Sequence, residues 1–450
     1  MEAPFGITWV IAFRMTSPFT QFPPPPLKKR HIYSLHRAMV VLGFVSLASS
    51  LAYGMLLRAE GVVSPNSQEK VFRPFPQAGE FSLHGVFPDS KLQSQLNKTI
   101  RDFYAYWKSK YLLPSVRVPG DYKVKYDRKG RTVSEAMGYG MMLAAYMAGS
   151  DPEAKRLFDG LDGFRKRFPS KINPSFMNWQ IPSDENPHRN DCATDGELDM
   201  AFALLLAHEQ WGDPHYLEEA KSLIHDIGIS LVRPDGSLRL GDWNEETGQT
   251  RPSDFMPTHF RAFQKATGDE LWNKVEATSY VILNQLQSQF SSNTGLIPDF
   301  SIEQNGRWIP AKPKFLEGPH DGEFYYNACR IPWRIGWAAS TFDDPRAVNV
   351  LKPFMTWADS TIKEPDAFRA GYRLDGSDAK GNDFDTACFI APTGVAASAL
   401  GNKTWLNGAL AYCTNKREEY FEDSINLLSL LVMSGNAWIP LGHGPRRPGS

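Results

Sequence analysis

The succession of helical segments between residues 92 and 433 limits the folds open to this chain more than any other feature. Within these segments apolar residues recur every three or four positions, the period of an α-helix that buries one face. Strand-like stretches occur only in short connections. The pattern predicts about twelve helices. They cover residues 92–111, 134–147, 154–168, 195–210, 216–232, 257–266, 271–290, 332–340, 347–361, 386–400, 403–413 and 418–433.

The connections between the predicted helices fall into two kinds. Some are short, and others are long and rich in Trp, Asp, Asn and Gly. The long connections cover residues 172–193, 235–257, 293–330 and 370–385. Paired helices with elaborated loops at one end are typical of a helical toroid, and loops on such a scaffold often carry a site. We therefore predict an all-α toroid whose loop face forms a cleft.

Composition excludes several classes of function. The chain has 450 residues, of which 42% are hydrophobic and 22% charged, so it can build a substantial core. Its formal net charge of -1 argues against a nucleic-acid binder that neutralises phosphates. The cysteines form no CxxC or zinc-type spacing, so we expect buried free thiols and neither a metal nor another cofactor. These cysteines are Cys192, Cys329, Cys388 and Cys413.

The N-terminal region differs from the rest of the chain. A basic cluster at 28–30 precedes an apolar run at 38–57, which is the order found in export signals. We predict that residues 1–37 are a disordered extension and that 38–57 is a signal peptide. An uncleaved membrane anchor is the alternative. Residues 58–85 read as a linker, and residues 86–445 as the helical domain.

Three acids stand at the mouth of one apolar helix. Thr194 and Glu197 have the spacing of a capping box, in which each side chain bonds a backbone N–H of the first turn. A single acid at this place is usually a cap. Here Asp195, Glu197 and Asp199 fall within five residues, and Gly196 allows close approach, so the cluster favours a site.

A second acid stands at the start of an earlier helix. Thr132 and Glu135 again have capping-box spacing. Gly138 and Gly140 within the same helix each cost about 1 kcal/mol relative to alanine. Such a cost indicates that something approaches the backbone closely. Glu135 and Asp195 should then lie at helix N-termini on the same end of the toroid.

Two carboxylates that face one cleft are what hydrolysis of a glycosidic bond requires. One must be protonated to give a proton to the leaving oxygen, and the other must stay ionised to activate water or attack. A helix N-terminus lowers the pKa of a carboxyl. If Glu135 is the acid, burial or a neighbouring anion must therefore raise its pKa again, and Asp195 is a candidate neighbour.

Four segments resemble the blocks of glycoside hydrolase family 8. The residues 134–141 and 193–207 are similar to the two signature segments of that family, and 326–335 and 423–435 to a third and a fourth block. They occur in the family's order, over about residues 85–440. Glu197 stands where the family usually has Asp.

The resemblance implies an (α/α)6 barrel and an inverting mechanism. The family includes endoglucanases, chitosanases, lichenases and xylan-active enzymes. By the same resemblance, Glu135 matches the general acid, and Asp195 matches the acid that contacts the sugar at the cleavage point. Glu197 and Asp199 are expected to be structural.

The third block departs from the pattern of many members. Asn327 stands where they carry the Asp that serves as base, and an amide cannot accept a proton from water at neutral pH. The chitosanase/lichenase-type subgroup with Asn here takes its base from the preceding loop. That loop offers Glu317, Asp321 and Glu323. We favour Glu317, because its Phe-Leu-Glu-Gly segment resembles the base-bearing segment of the subgroup.

Other residues are weaker candidates. The chain carries 12 Trp, 16 Tyr and 28 Phe, which either fill the core or stack on sugar rings. Aromatic residues in or beside the long loops are Trp179, Trp243, Trp308, Tyr325, Trp333 and Tyr372. Of these, all but Trp308 are predicted to bind substrate, together with Asn327 and Arg330. Arg330 and Arg334 could pair with carboxylates, and His259 and His320 are expected to be structural.

The sequence thus predicts an exported, monomeric, inverting hydrolase that cuts within β-1,4-linked glycans. Chitosan is the favoured substrate, from the subgroup and from acidic loops that suit a cationic polymer. These acids are Asp299, Glu317, Asp321, Glu323, Asp375, Asp383 and Asp385. The alternatives are an endo-β-glucanase on cellulose or mixed-linkage glucan and, from another class, an inactive glycan-binding protein without a base. A toroidal lyase is a further rival, although lyases tend to use Tyr or His with Arg.

Overall fold

The computed structural model describes residues 70–77, 84–246 and 248–442. Twelve α-helices lie in this part of the chain, which confirms the predicted all-α fold. They are α1 (Ser90–Tyr111), α2 (Ser134–Met147), α3 (Ala154–Arg167), α4 (Thr194–Trp211), α5 (Pro214–Ser230), α6 (Pro257–Thr267), α7 (Leu271–Phe290), α8 (Ile331–Phe342), α9 (Pro345–Trp357), α10 (Ala387–Ala399), α11 (Lys403–Cys413) and α12 (Tyr420–Met433).

The even-numbered helices form a closed inner ring. Each contacts the next, from α2 through α4, α6, α8 and α10 to α12, and α12 returns to contact α2. The odd-numbered helices pack outside this ring, as α3 does on α2 and α11 does on α10. The result is an (α/α)6 barrel. We call the two sets the inner and the outer helices.

Residue composition explains which helices are inside. In α2 and α4 nearly every residue is buried, and apolar residues make up most of each helix beyond its first turn. The outer helix α3 instead buries one stripe, which includes Leu157, Phe158, Leu161 and Phe164. Helices without a polar face must be surrounded by others, so the ring follows from the pattern.

Two glycines let α2 and α4 approach each other. A Cβ atom added to Gly138 would lie 2.6 Å from the Cβ of Asp199, and one added to Gly196 would lie 2.5 Å from the Oγ of Ser134. Both distances are too short for a nonbonded contact of a Cβ atom, so neither position has room for a side chain. The close approach inferred from Gly138 is therefore to a neighbouring inner helix.

Short strands tie the loops at one end of the barrel. β1 (Leu112–Pro114) pairs with β2 (Tyr122–Val124), and β3 (Thr132–Val133) with β4 (Gln180–Ile181), both antiparallel. A three-stranded antiparallel sheet then joins β5, β6 and β7. These strands are Gln249–Thr250, Ser301–Gln304 and Arg307–Pro310. The pairing of Thr250 with Ser301 brings the loop before α6 beside the loop before α8.

The packed domain begins before the predicted boundary at residue 86. The N–H of Phe72 donates to the carbonyl of Gln210 (2.9 Å), and that of Phe75 to the carbonyl of Ala148 (2.8 Å). Phe75 is buried, so residues 70–77 are held on the barrel although they fall within the predicted linker. A linker should be free of such contacts, and its predicted range needs this correction.

The predicted extension at 1–37 and the apolar segment at 38–57 lie outside the described residues. Among the residues that are described, we find no helix with the length and apolarity needed to cross a membrane. All four cysteines are buried and free, as predicted.

Candidate active site

The candidate site lies at the N-terminal ends of the inner helices. Glu135 is the second residue of α2, and Asp195 is the second residue of α4. Arg330 immediately precedes α8, and Tyr420 begins α12. Because inner helices all run the same way in this barrel, four distant stretches of sequence meet at one end.

The two predicted capping boxes are wrong. The caps are Val133 and Ala193, and neither makes a side-chain cap bond. The hydroxyl of Thr194 donates to the carbonyl of Arg239 (2.7 Å), and Glu197 accepts from the N–H of Met177 (2.9 Å). The helix starts do not match the capping-box spacing, because Thr132 lies one residue before the cap of α2 and Thr194 lies one residue after the cap of α4.

A buried guanidinium joins the two helix-borne acids. Nη1 of Arg330 donates to Oε2 of Glu135 (2.7 Å) and to Oδ2 of Asp195 (2.9 Å). Its Nη2 donates to Oγ of Ser253 and Oδ1 of Asn327, at 2.9 Å each. Arg330 is 1% exposed, so its predicted contact with substrate is corrected to a role in holding the acids.

Glu135 is placed to act as an acid near neutral pH. Its side chain is 16% exposed, and Oε1 accepts from the hydroxyl of Tyr420 (3.0 Å). Burial raises the pKa of Glu135 to about 7 against the opposing charge of Arg330, and the nearby Asp195 adds to the rise. This is the condition that the sequence analysis set for a proton donor at a helix N-terminus.

Asp195 is held in the opposite state. Burial alone would raise the pKa of its carboxyl, but Arg251 and Arg330 lower it to about 2. Nη2 of Arg251 lies 2.8 Å from Oδ1 of Asp195, and the N–H of Gly196 donates to the same oxygen (2.9 Å). Two acids in one site whose pKa values are driven apart can serve as a proton donor and a fixed anion.

Sequence reasoning missed Arg251 and its partner Asp254. Nε of Arg251 donates to Oδ1 of Asp254 (2.8 Å), and Nη1 lies 4.0 Å from Oε1 of Glu317. Arg251 therefore stands between the acid pair and the loop before α8. Nothing in the spacing of these two residues marks them, because their role comes from the pairing of β5 with β6. Tyr420, three residues before the fourth block, was missed for a similar reason.

Glu317 is the favoured base of the sequence analysis, and its carboxylate is open to solvent. Its side chain is 42% exposed, and Oε2 accepts from Nδ2 of Asn327 (2.9 Å). Partial removal from water raises the pKa of Glu317, while Arg251 and the amide of Asn327 oppose the rise. Asn327 is buried and contacts Glu317, so its predicted role in substrate binding becomes one of orienting this carboxylate.

The two rival acids of this loop are already occupied. Asp321 is buried, and it accepts from the N–H groups of Leu316 (2.7 Å), Glu317 (3.1 Å) and Gly318 (2.8 Å). Glu323 bonds to Nδ1 of His320 at 2.5 Å. Asp321 shapes the loop, and Glu323 pairs with the imidazole. Of the three candidates, Glu317 alone presents an open carboxylate.

A second buried network lies deeper in the barrel. Asp199 bonds to Nε2 of His259 (2.9 Å) and accepts from Nη2 of Arg334 (2.6 Å), and all three residues are fully buried. Burial lowers the pKa of His259 to about 4. These contacts agree with the structural roles expected for Asp199 and His259, and they give Arg334 a carboxylate partner.

Three of the predicted stacking residues are buried and unavailable to a polymer. Trp308, Trp333 and Tyr372 are 7%, 1% and 2% exposed. The ring of Trp333 packs against the guanidinium of Arg334 at 3.9 Å. Two predictions of substrate binding, at Trp333 and Tyr372, are therefore corrected to core packing.

The other three predicted stacking residues are accessible to solvent. Trp243 is 38% exposed, and Trp179 and Tyr325 are half-buried. The guanidinium of Arg189 lies 5.6 Å from the ring centre of Trp179. These rings stay candidates for contact with sugars. Among the described residues, we find no group of three or more His, Cys, Asp or Glu arranged to hold a metal ion.

Comparison with known proteins identifies the family. The model of "Glycosyl hydrolases family 8" matches residues 90–435. The chain is 39% identical to a β-glucanase of Niallia circulans, over 89% of this chain and 96% of that protein. It is 37% identical to an endoglucanase of Bacillus sp. strain KSM-330, over 83% of each. The apo structure of a β-1,3-1,4-glucanase from Paenibacillus sp. X4 superposes with a TM-score of 0.79 at 39% identity, covering 82% of this chain and 100% of that one. The chain belongs to glycosyl hydrolase family 8.

Proposed function

We propose that the protein is an inverting endo-β-glucanase that hydrolyses β-1,4 bonds in glucan, with Glu135 as general acid and Glu317 as general base. The observation that carries this proposal is the contrast between the two carboxyls. Glu135 is enclosed and has a pKa of about 7, whereas Glu317 stands open on a loop and is oriented by Asn327. The pair has the asymmetry that an acid and a base need.

The proposed reaction is a single displacement. Glu317 takes a proton from a water molecule, whose oxygen forms a bond to the anomeric carbon. The bond from that carbon to the glycosidic oxygen breaks on the opposite face, and Glu135 gives its proton to the departing oxygen. The anomeric configuration inverts, and the two carboxyls end with exchanged protonation states.

Asp195 supplies a fixed negative charge beside this reaction. Its pKa of about 2 keeps it ionised through the working pH range, and Arg251 and Arg330 hold its two oxygens. An oxocarbenium-like transition state carries positive charge, so a fixed anion favours it. A sugar hydroxyl can also donate to this carboxylate, as the family resemblance implies.

The structure weakens the argument for chitosan. Acidic loops would suit a polycation only if their carboxylates were available. Asp299 and Asp321 are buried, Glu323 pairs with His320, and Asp385 pairs with Lys416. Of the seven acids in these loops, Glu317, Asp375 and Asp383 are left exposed, which is little charge for a cationic polymer. Relatives named as a β-glucanase, an endoglucanase and a β-1,3-1,4-glucanase also support a neutral glucan.

A substrate panel tests the proposal. We expect the purified protein to cleave lichenan and carboxymethyl-cellulose faster than soluble chitosan or xylan, and to release oligosaccharides rather than single sugars at early times. Fresh product followed by proton NMR should be the α-anomer. Preference for chitosan would overturn the substrate proposal. A parent protein that binds glucan and cuts none of the four would support the glycan-binding alternative, and an unsaturated product would support the lyase.

The base is tested by amide substitution in one loop. Glu317→Gln should reduce kcat by about 100-fold or more while leaving glucan binding intact, because the amide cannot take a proton. Glu323→Gln is the matched control, since it changes a neighbouring acid that bonds to His320. Full activity of Glu317→Gln would remove Glu317 from the mechanism.

We also propose that the protein is exported and acts as a monomer. The basic cluster and apolar run at 28–57 support export, which would bring the enzyme to a polymeric substrate outside the cell. Fractionation of expressing cells should place the protein outside the cytoplasm, and size-exclusion chromatography should give one chain per particle. Retention in the membrane fraction would support the uncleaved anchor instead.

A further inference from the structure

Asp299 is a buried acid that the proposed mechanism does not use. It lies two residues before β6 and is 3% exposed. Its Oδ1 accepts from three backbone N–H groups of the next turn, those of Tyr325 (3.0 Å), Asn327 (3.1 Å) and Ala328 (2.7 Å). Three donors on one oxygen fix that turn against the carboxylate.

The other oxygen of Asp299 faces the side chain of Asn327. Oδ2 lies 3.4 Å from Nδ2 of Asn327. The same Nδ2 donates to Oε2 of Glu317 (2.9 Å), and Oδ1 of Asn327 accepts from Nη2 of Arg330 (2.9 Å). Each end of the amide thus meets a partner of the right kind. A flipped amide would place donor against donor at Arg330 and acceptor against acceptor at Glu317.

Asp299 is also anchored to the far side of the loop that carries Glu317. Its N–H donates to the carbonyl of Glu323 (2.8 Å), and the N–H of Phe300 donates to the carbonyl of Asp321 (2.8 Å). Asp299 therefore contacts both the turn that bears Asn327 and the chain just before that turn. No other acid of the described loop reaches both the backbone and the side chain of Asn327.

We propose that Asp299 is a positioning residue for the general base, acting through Asn327 to hold the carboxylate of Glu317. The need for such a residue follows from exposure. The side chain of Glu317 is 42% exposed on a loop, where rotamer freedom would otherwise spread its carboxylate over several positions. A base must lie within hydrogen-bond reach of the water it activates, and small displacements are costly. This inference rests on the proposed role of Glu317.

Replacement of Asp299 by asparagine isolates the side-chain contact. The amide oxygen can still accept from the three backbone N–H groups, so the turn keeps its bonds. The amide nitrogen would replace Oδ2 and meet Nδ2 of Asn327 as a second donor. Asn327 must then turn away, and Glu317 loses its hydrogen bond. We expect kcat to fall about 10-fold with KM little changed.

A double-mutant cycle tests whether Asp299 acts through Asn327. The four proteins are the parent, Asp299→Asn, Asn327→Ala and the double variant. If the relay exists, Asp299→Asn should cost less than about 3-fold in kcat once the side chain of Asn327 is gone. Losses that multiply in the double variant would overturn the proposal. If Asp299→Asn does not fold, Asp299→Ser takes its place, with a hydroxyl to accept from the turn.

The pH profile gives a second readout. Burial raises the pKa of Glu317, the charges of Arg251 and Arg330 and the amide of Asn327 oppose that rise, and Asp321 adds to it. Burial also raises the pKa of Asp299 to about 8, so its carboxyl is protonated at neutral pH and Asp299→Asn removes no charge beside Glu317 there. Loss of the amide bond should raise that pKa, so the acid limb of kcat/KM should move to higher pH in both single variants. Asp162→Asn is the control. Asp162 is a buried acid of α3 paired with Arg165 (2.7 Å), and its loss should change thermal stability and leave the limb in place.

The outcomes separate the relay from the base assignment. If Glu317→Gln is inactive, Glu317 remains the base. If, in addition, the losses in the Asp299/Asn327 cycle multiply or the acid limb does not move, Asp299 does not position that base. An active Glu317→Gln enzyme overturns the proposed base, and with it the relay. An inactive Glu317→Gln enzyme supports both proposals if Asp299→Asn costs less than about 3-fold in the Asn327→Ala background and the acid limb moves to higher pH in both single variants.

Discussion

The acid side and the base side of the site are built in opposite ways. Glu135 lies in the first turn of an inner helix, and its carboxyl contacts Arg330 and Tyr420 from two other parts of the ring. Glu317 lies on a loop and contacts Asn327. Their side chains are 16% and 42% exposed. The difference matches their tasks, because a proton donor at neutral pH must be withdrawn from water and a base must reach a water molecule.

The largest effects should come from neutralising each carboxyl in turn. Glu135→Gln should lower kcat on glucan by about 1,000-fold, within the range for a general acid. On an aryl β-cellobioside with a nitrophenol leaving group the loss should be much smaller, because that group departs without a proton. Glu317→Gln should show no such recovery, since activation of water is needed with either leaving group. If the aryl β-cellobioside restored activity equally in both variants, Glu135 could not be assigned as the acid and Glu317 as the base.

The buried acid side should also be the more costly to disturb. Arg330→Met leaves Glu135 and Asp195 without their shared partner in the interior, and we expect about 3–5 kcal/mol off the free energy of unfolding. Chemical denaturation followed by circular dichroism measures the loss. Arg128→Met is the control, because Arg128 pairs with Glu419 at the surface with 90% of its side chain exposed. If Arg330→Met were as stable as Arg128→Met, the buried contacts of Arg330 with Glu135 and Asp195 would not contribute to stability.

The pH profile should separate the two sides by limb. The acid must be protonated, so kcat/KM should fall as pH rises through the pKa of Glu135, which is about 7. The base must be ionised, so the other limb belongs to Glu317, whose pKa is raised above the ordinary range of a carboxyl. The profile measured on lichenan should therefore be a narrow bell. An alkaline limb unchanged in Glu135→Asp would assign it to another group.

A smaller change sharpens the assignment of the alkaline limb. The hydroxyl of Tyr420 donates to Glu135 and lowers its pKa, so Tyr420→Phe should raise that pKa and move the alkaline limb up by about one pH unit or less. Tyr104→Phe is the matched control, as the hydroxyl of Tyr104 donates to Asp151 (3.1 Å) away from the carboxyl pair. A limb that moves equally in both variants would point to a general effect on the barrel.

The same contrast explains what the sequence could predict. The helices could be predicted because the spacing of their apolar residues is a local property of the sequence. Glu135 and Asp195 were readable because acids at the mouths of buried helices are unusual. Their partners Arg251 and Tyr420 were not, since each reaches the site only through ring closure or strand pairing. The capping boxes failed for a different reason, because each predicted cap lies one residue away from the residue where the helix is capped.

Burial of aromatic residues was equally hidden. The predicted long loops contain both Trp243 and Trp308, and position in the sequence makes both of them candidates for stacking on a sugar. Trp308 lies in β7, where the alternation of the strand turns its ring inward, and it is 7% exposed. Trp243 lies in a loop without pairing and is 38% exposed. The sequence places both tryptophans in long connections, and the strand register is what buries Trp308.

The smallest expected effect concerns binding away from both carboxyls. Stacking on a sugar contributes about 1 kcal/mol, so Trp243→Ala should raise KM for lichenan about 5-fold and leave kcat nearly unchanged. Ile229→Ala removes an exposed side chain of the outer helix α5 and should change neither constant. Because Trp243 contacts neither Glu135 nor Glu317 in the contacts described above, a fall in kcat would show that the loop bearing it helps to set the distance between acid and base. A rise in KM alone would show that Trp243 binds substrate without affecting catalysis. The contrast between the acid side and the base side would then depend only on Glu135, Glu317 and the residues that contact them.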